Sequence, residues 1–105
     1  MRSLAALLSM LALAAQAGEL PAARQSELRY LVRHDCGSCH GLTMKGGLGA
    51  PLLPSLLADK SDEALQHVIL NGMPGTPMPP WRGELTAEEA AWIVRALREG
   101  VSDGR

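Results

Sequence analysis

Cys36-Gly37-Ser38-Cys39-His40 is the stretch that decides how this chain folds. Two cysteines separated by two residues and followed at once by a histidine form the c-type haem attachment signature. Each sulfur can add to one vinyl group of the same porphyrin, and the next side chain, His40, then lies under the macrocycle with a ring nitrogen for the iron. Gly37 and Ser38 are small enough for the backbone to pass close to the ring edge. Other uses of the pentapeptide fit less well. A structural zinc site usually takes four protein ligands, and Cys36 and Cys39 are the only cysteines. A thioredoxin-like dithiol sits in a βαβ unit, and no strand pattern is visible. A plain disulfide is the remaining alternative.

Working outward toward the N-terminus, Arg2 precedes an apolar run from Leu4 to Ala15, and Ala15-Gln16-Ala17 is a small-x-small cleavage site. Residues 1–17 therefore read as a secretory signal peptide and 18–105 as the mature domain. The apolar run is short for a membrane span, and no other long apolar run follows. Export implies the periplasm, an oxidising compartment. The formal net charge of the whole chain is −1, and loss of Arg2 makes it more negative, so no nucleic-acid partner is indicated. A domain this small struggles to build a core. It has no Phe, one Tyr and two Trp. A large flat hydrophobic cofactor would supply the missing core.

The periodicity predicts three main helices and no strands. The first runs from about Ala22 to His34, with Leu28, Leu31 and Val32 on one face. The second, capped by Ser61, runs to about Asn71 with Ala64, Leu65, Val68 and Ile69 as its buried stripe and Gly72 as its stop. The third starts at a capping box of Thr86 and Glu89 and runs to about Glu99, with Ala90, Ile93, Val94 and Leu97 inward. Between the first two lies a loop rich in glycine, proline and leucine, Gly41 to Lys60. Leu48, Leu52, Leu53, Leu56 and Leu57 are too apolar to be left in water, which wraps this loop around the proximal side of the haem. Leu56 and Leu57 suit one short helical turn.

The iron needs a second axial ligand. Met78 is the candidate, because Pro77, Pro79 and Pro80 brace its loop and it lies well beyond His40 in the chain. Met73 is the rival in the same loop, and Met44 follows His40 too closely to reach the far face. His/Met ligation suits electron transfer rather than oxygen chemistry. His40 needs an acceptor for its other ring N–H, expected from a backbone carbonyl in the loop Gly49-Ala50-Pro51-Leu52. Trp81 and Arg82 are candidates to meet a haem propionate, each set against simple packing or an exposed rim position. His34 and His67 read as solvated, and Trp92 as packing between helices.

These residues resemble class I cytochromes c, and within them the small NirC-type periplasmic cytochromes of denitrification (nir) gene clusters. The resembling segments are DCGSCHGLTMKGGLG, ILNGMPGTPMPPW and LTAEEAAWIVRALREG. The resemblance implies a small all-α class I fold around one covalently bound haem c. Cys36 and Cys39 would be the anchors, His40 the proximal ligand and Met78 the distal one. Gly49-Ala50-Pro51-Leu52 departs from the Gly-Pro-x-Leu of many members, which leaves open whether Ala50 or Pro51 carries the carbonyl facing His40. The implied function is one-electron transfer, without enzymatic activity, by a monomer that donates to cytochrome cd1 nitrite reductase. The alternative is an accessory role in maturation of that enzyme's d1 haem.

Overall fold

Pro21 opens the first helix, its carbonyl accepting from the Gln25 N–H at 3.0 Å. The computed structural model describes residues 19–101, and the expected signal peptide lies outside them. Helix α1 spans Ala22–Leu31. It continues without a break into a π turn, Val32–Cys36, and then into α2, Gly37–His40. The sequence pattern suggested an ordinary helix through His34. Instead the Gly37 N–H donates to Val32 O, five residues back. That wider turn takes up one extra residue. Val32 stays fully buried in the core, and Asp35, Cys36 and Cys39 reach the lining of a cavity. Gly41, at φ 93°, ends the run.

The loop after Gly41 folds back on α2. The Gly49 N–H donates to Cys39 O and the Gly46 N–H to His40 O, both at 2.8 Å, and Leu52 N–H reaches Met44 O at 2.9 Å. Met44 is buried under this loop. Its leucines do not all turn inward as expected. Leu57 is buried and Leu52 and Leu53 are half-buried, but Leu56 is 50% exposed and Leu48 stands 89% exposed while also lining the cavity. Helix α3, Pro54–Leu57, is the short turn expected there, with Pro54 at its first position.

Helix α4, Asp62–Asn71, starts where Ser61 accepts from the Ala64 N–H. Helix α5, Ala87–Glu99, starts at the Thr86–Glu89 capping box and ends at Gly100, φ 89°. Among the described residues there is no strand, and α1, α4 and α5 are the three main helices. Helix α5 is the hub and touches α1, α3 and α4. Leu28 from α1 and Val32 from the π turn meet Ile93, Ala96 and Leu97 from α5 in one core. Polar ties bracket this contact. Arg24 on α1 binds Glu89 on α5, and the Arg29 guanidinium lies 4.9 Å from the Trp92 ring centroid. Arg98 bonds Asp62, Leu57 O and Lys60 O, fixing α5 to the start of α4. No helix among the described residues is long and apolar enough to cross a membrane.

The α4 stripe behaves differently from its expectation. Ala64 is exposed, and Leu65, Val68 and Ile69 are only half-buried. Leu65, Val68 and Ile69 form a wall of the cavity. An amphipathic pattern identifies the apolar face of a helix but not what that face will meet.

Candidate functional site

A cavity of about 520 Å³ occupies the space between α2, α4, α5 and the loop after α4. That is the size range of small-molecule and cofactor sites. Cys36, Cys39 and His40 line it, as do Met78 and Trp81. Leu31, Leu57, Leu85, Ile93 and Leu97 supply apolar walls shared with the core.

The cysteines are not joined to each other; both thiols are free and half-buried. Burial, reinforced by the neighbouring Asp35, pushes the Cys36 thiol up to about 11, so it stays protonated at neutral pH. Ser38 between them is tied down, its hydroxyl donating to Asp35 O at 2.7 Å.

His40 is oriented by the loop. Its Nδ1 lies 2.7 Å from Ala50 O. A carbonyl oxygen only accepts, so Nδ1 carries the proton and the Nε2 lone pair is left for a metal. Ala50, not Pro51, is therefore the residue whose carbonyl faces His40. Gly49 makes the approach possible. A Cβ there would lie 2.7 Å from both Cε1 and Nδ1 of the imidazole.

Met78 is held through its backbone. Its N–H donates to Thr76 Oγ1 at 3.3 Å, and its carbonyl accepts from the Met73 N–H at 3.2 Å. The Thr76 hydroxyl in turn donates to Met73 O at 2.6 Å. Met78 is half-buried, whereas Met73 lines the same cavity but is 49% exposed. Met44 is buried in the core beneath Gly37.

Two further candidates are placed differently. Trp81 lines the cavity, half-buried. Arg82 is engaged elsewhere, its guanidinium donating to Asn71 Oδ1 at 2.7 Å. His34 is exposed, its ring tilted against Tyr30 with the centroids 4.1 Å apart, and His67 is exposed on α4. Sequence reasoning passed over Thr76 and Asn71. Their signals are modest: a threonine two residues before a candidate ligand, which favours a side-chain-to-backbone turn, and an asparagine at a helix end.

The residues present fit a covalently attached haem: two free thiols, an imidazole with an oriented Nε2, a thioether and an apolar enclosure. Residues 23–95 match the family described as cytochrome c oxidase, cbb3-type, subunit III. The chain belongs to this family of c-type cytochromes. As a cytochrome c it is an electron carrier rather than an enzyme, and membership implies covalent haem c. It is 59% identical to cytochrome c55X of Paracoccus denitrificans over 92% of this chain and 94% of that protein. With cytochrome c55X of Pseudomonas aeruginosa it shares 52% identity over 75% of this chain and 66% of that one. The solved c-type cytochrome NirC superposes with a TM-score of 0.74 at 51% identity, over 76% of this chain and 94% of that chain. Dihydro-heme d1 dehydrogenase of Pseudomonas aeruginosa is 37% identical over 79% of this chain, which spans only 16% of that protein.

Proposed function

We propose that this cytochrome is exported to the periplasm and carries single electrons to cytochrome cd1 nitrite reductase, with one haem c held by Cys36, Cys39, His40 and Met78. The observation that carries the ligand assignment is His40 with its Nδ1–H fixed on Ala50 O and its Nε2 left unprotonated, lining the same cavity as Met78. The likeness to cytochrome c55X and to NirC supports the denitrification setting. When bound, the haem supplies a metal centre that changes by one electron. The chain's own contribution is to keep both ligands in place and water out. His40 is fixed by a hydrogen bond and by a glycine contact. Met78 is fixed by the backbone bonds of its loop. Leu65, Val68, Ile69 and Ile93 keep the surroundings apolar, which tunes the potential.

Oxidation of the reduced holoprotein by cytochrome cd1 nitrite reductase, in the presence of nitrite, tests the assignment. Rapid oxidation is expected; failure under conditions where an artificial donor works refutes it.

A second reading has a specific observation in its favour. The chain also resembles the solved dihydro-heme d1 dehydrogenase NirN, at a TM-score of 0.62 and 35% identity over 68% of this chain and 15% of that one. An accessory role in d1 haem maturation would fit that likeness. A strain deleted for this protein separates the two. The carrier reading requires a reductase with full d1 content that works with an artificial donor. A d1-deficient reductase favours maturation.

A further inference from the structure

The loop 72–80 carries Met78, and its two ends are clamped to one place. On the incoming side it leaves α4 at Asn71. On the outgoing side, the Trp81 N–H donates to Ile69 O at 3.0 Å and the Arg82 N–H to Leu70 O at 3.1 Å. The chain therefore returns to the last turn of the helix it left. Two side chains close the mouth. Arg82 donates to Asn71 Oδ1 at 2.7 Å, while the Asn71 amide group donates to His67 O at 3.0 Å and reaches His67 Nδ1 at 3.1 Å. Asn71 is thus anchored to its own helix on one side and grips the far end of the loop on the other.

The clamp acts on Met78 because the loop above it has no slack. Gly72 sits at φ 68°, and a Cβ there would come within 2.7–2.8 Å of Met78 O, Pro79 C and Pro80 N. The backbones on the two sides of the loop are in direct contact just above the Asn71–Arg82 bond. Met73 N–H to Met78 O and the Thr76 hydroxyl close the rest. A shift at the mouth must therefore be passed on to the Met78 backbone.

From this we infer that Asn71 and Arg82 are positioning residues for the Met78 thioether, a latch that limits how readily the loop lifts and admits a competing ligand to the iron. The inference rests on Met78 being the distal ligand. Neither side chain lines the cavity, so each acts through the loop.

The test is the rate at which imidazole replaces the thioether in the ferric holoprotein, followed by loss of the weak long-wavelength Met–iron band. Arg82→Gln and Asn71→Ala are each expected to raise that rate about three- to tenfold, the scale of one ordinary solvent-exposed hydrogen bond. The double variant is expected to match the single ones, because both remove the same bond. Arg82→Lys should recover part of the wild-type rate. Helix content by circular dichroism should be unchanged, and Arg82→Gln keeps the Asn71–His67 bonds if Asn71→Ala frays α4. Met78→Ala is the reference. If it binds imidazole fast, the wild type slowly and both latch variants as slowly as wild type, the latch is overturned and the ligand assignment stands. If the wild type lacks the band and binds as fast as Met78→Ala, the ligand assignment falls and the latch falls with it.

Discussion

Leu28→Ala isolates the contact between α1 and α5 from the cofactor. Leu28 is fully buried, belongs to the core with Ile93 and Leu97, and does not line the cavity. The substitution removes three carbon groups from the interior. At about 0.8 kcal/mol per buried methylene the transfer loss is about 2.4 kcal/mol. The void left between two helices tied by Arg24–Glu89 and Arg29–Trp92 adds to this, and the total should reach about 3–4 kcal/mol. Domains of this kind are stable by only about 5–15 kcal/mol. The expected fall in melting temperature is then about 12–32 °C, at roughly 4–8 °C per kcal/mol for this size.

The assay is urea unfolding of the purified holoprotein, followed by far-UV circular dichroism, with Ser26→Ala as the exposed control on the same helix. The control should stay within about 0.5 kcal/mol of wild type. In the folded range Leu28→Ala should retain the Met–iron band, because the lost atoms do not touch the cavity. Leu97→Ala, which does line the cavity, should change both stability and spectrum. A loss for Leu28→Ala below about 1 kcal/mol would refute the claim that Leu28 packs with α5 in one core.

Gly49→Ala should lower the yield of protein with correctly bound haem and shift its reduction potential, because the new methyl group meets the His40 ring at 2.7 Å; redox titration beside wild type checks this. Thr86→Ala should cost about 1 kcal/mol in urea unfolding, since it removes the N-cap acceptor for the Glu89 N–H. Arg24 and the Thr86 N–H hold the Glu89 carboxyl below its usual range, so its contribution to stability is present above about pH 4.5 and is lost as pH falls through the lower folded value. Melting temperature measured from pH 7 to pH 3 should fall less steeply at the acid end for Glu89→Gln than for wild type, and equal slopes would count against the Arg24–Glu89 tie.

The helices with their own start and stop signals were legible in the chain. Thr86 and Glu89 mark α5, Ser61 marks α4, and Gly72 and Gly100 end them with positive φ as their lack of a Cβ allows. What stayed hidden depended on contacts between distant residues. Nothing in Val32–Cys36 distinguishes a π turn from an α turn, because the residue types that suit one suit the other. Arg82 carries no sign of whether it faces a propionate or Asn71; only the return of the chain to α4 brings that amide within reach. Leu48 obeys no rule of burial from composition, since it stands at the mouth of a cavity whose position the fold alone defines. The choice between Ala50 and Pro51 was likewise a matter of loop path, which the ring of His40 decides at 2.7 Å.

The two candidate ligands are secured by different means, and the difference has consequences for an electron carrier. Little rearrangement between two charge states requires that neither ligand drift. His40 is restrained at the ring itself, through Ala50 O and the close backbone of Gly49, and the same loop is bonded to Cys39 O and His40 O. Any movement of the ring must break a direct bond or deform the loop wrapped around it. The Met78 bonds run instead through its backbone, so the constraint on its thioether is indirect. It depends on Thr76, on the tight Gly72 contact and on the closed mouth of the loop. A thioether is also the weaker donor of the two. Perturbation by heat, denaturant or an external ligand should therefore open the Met78 side before the His40 side. The pair that decides how soon it opens, Asn71 at the end of α4 and Arg82 just past the loop, lies outside the cavity lining.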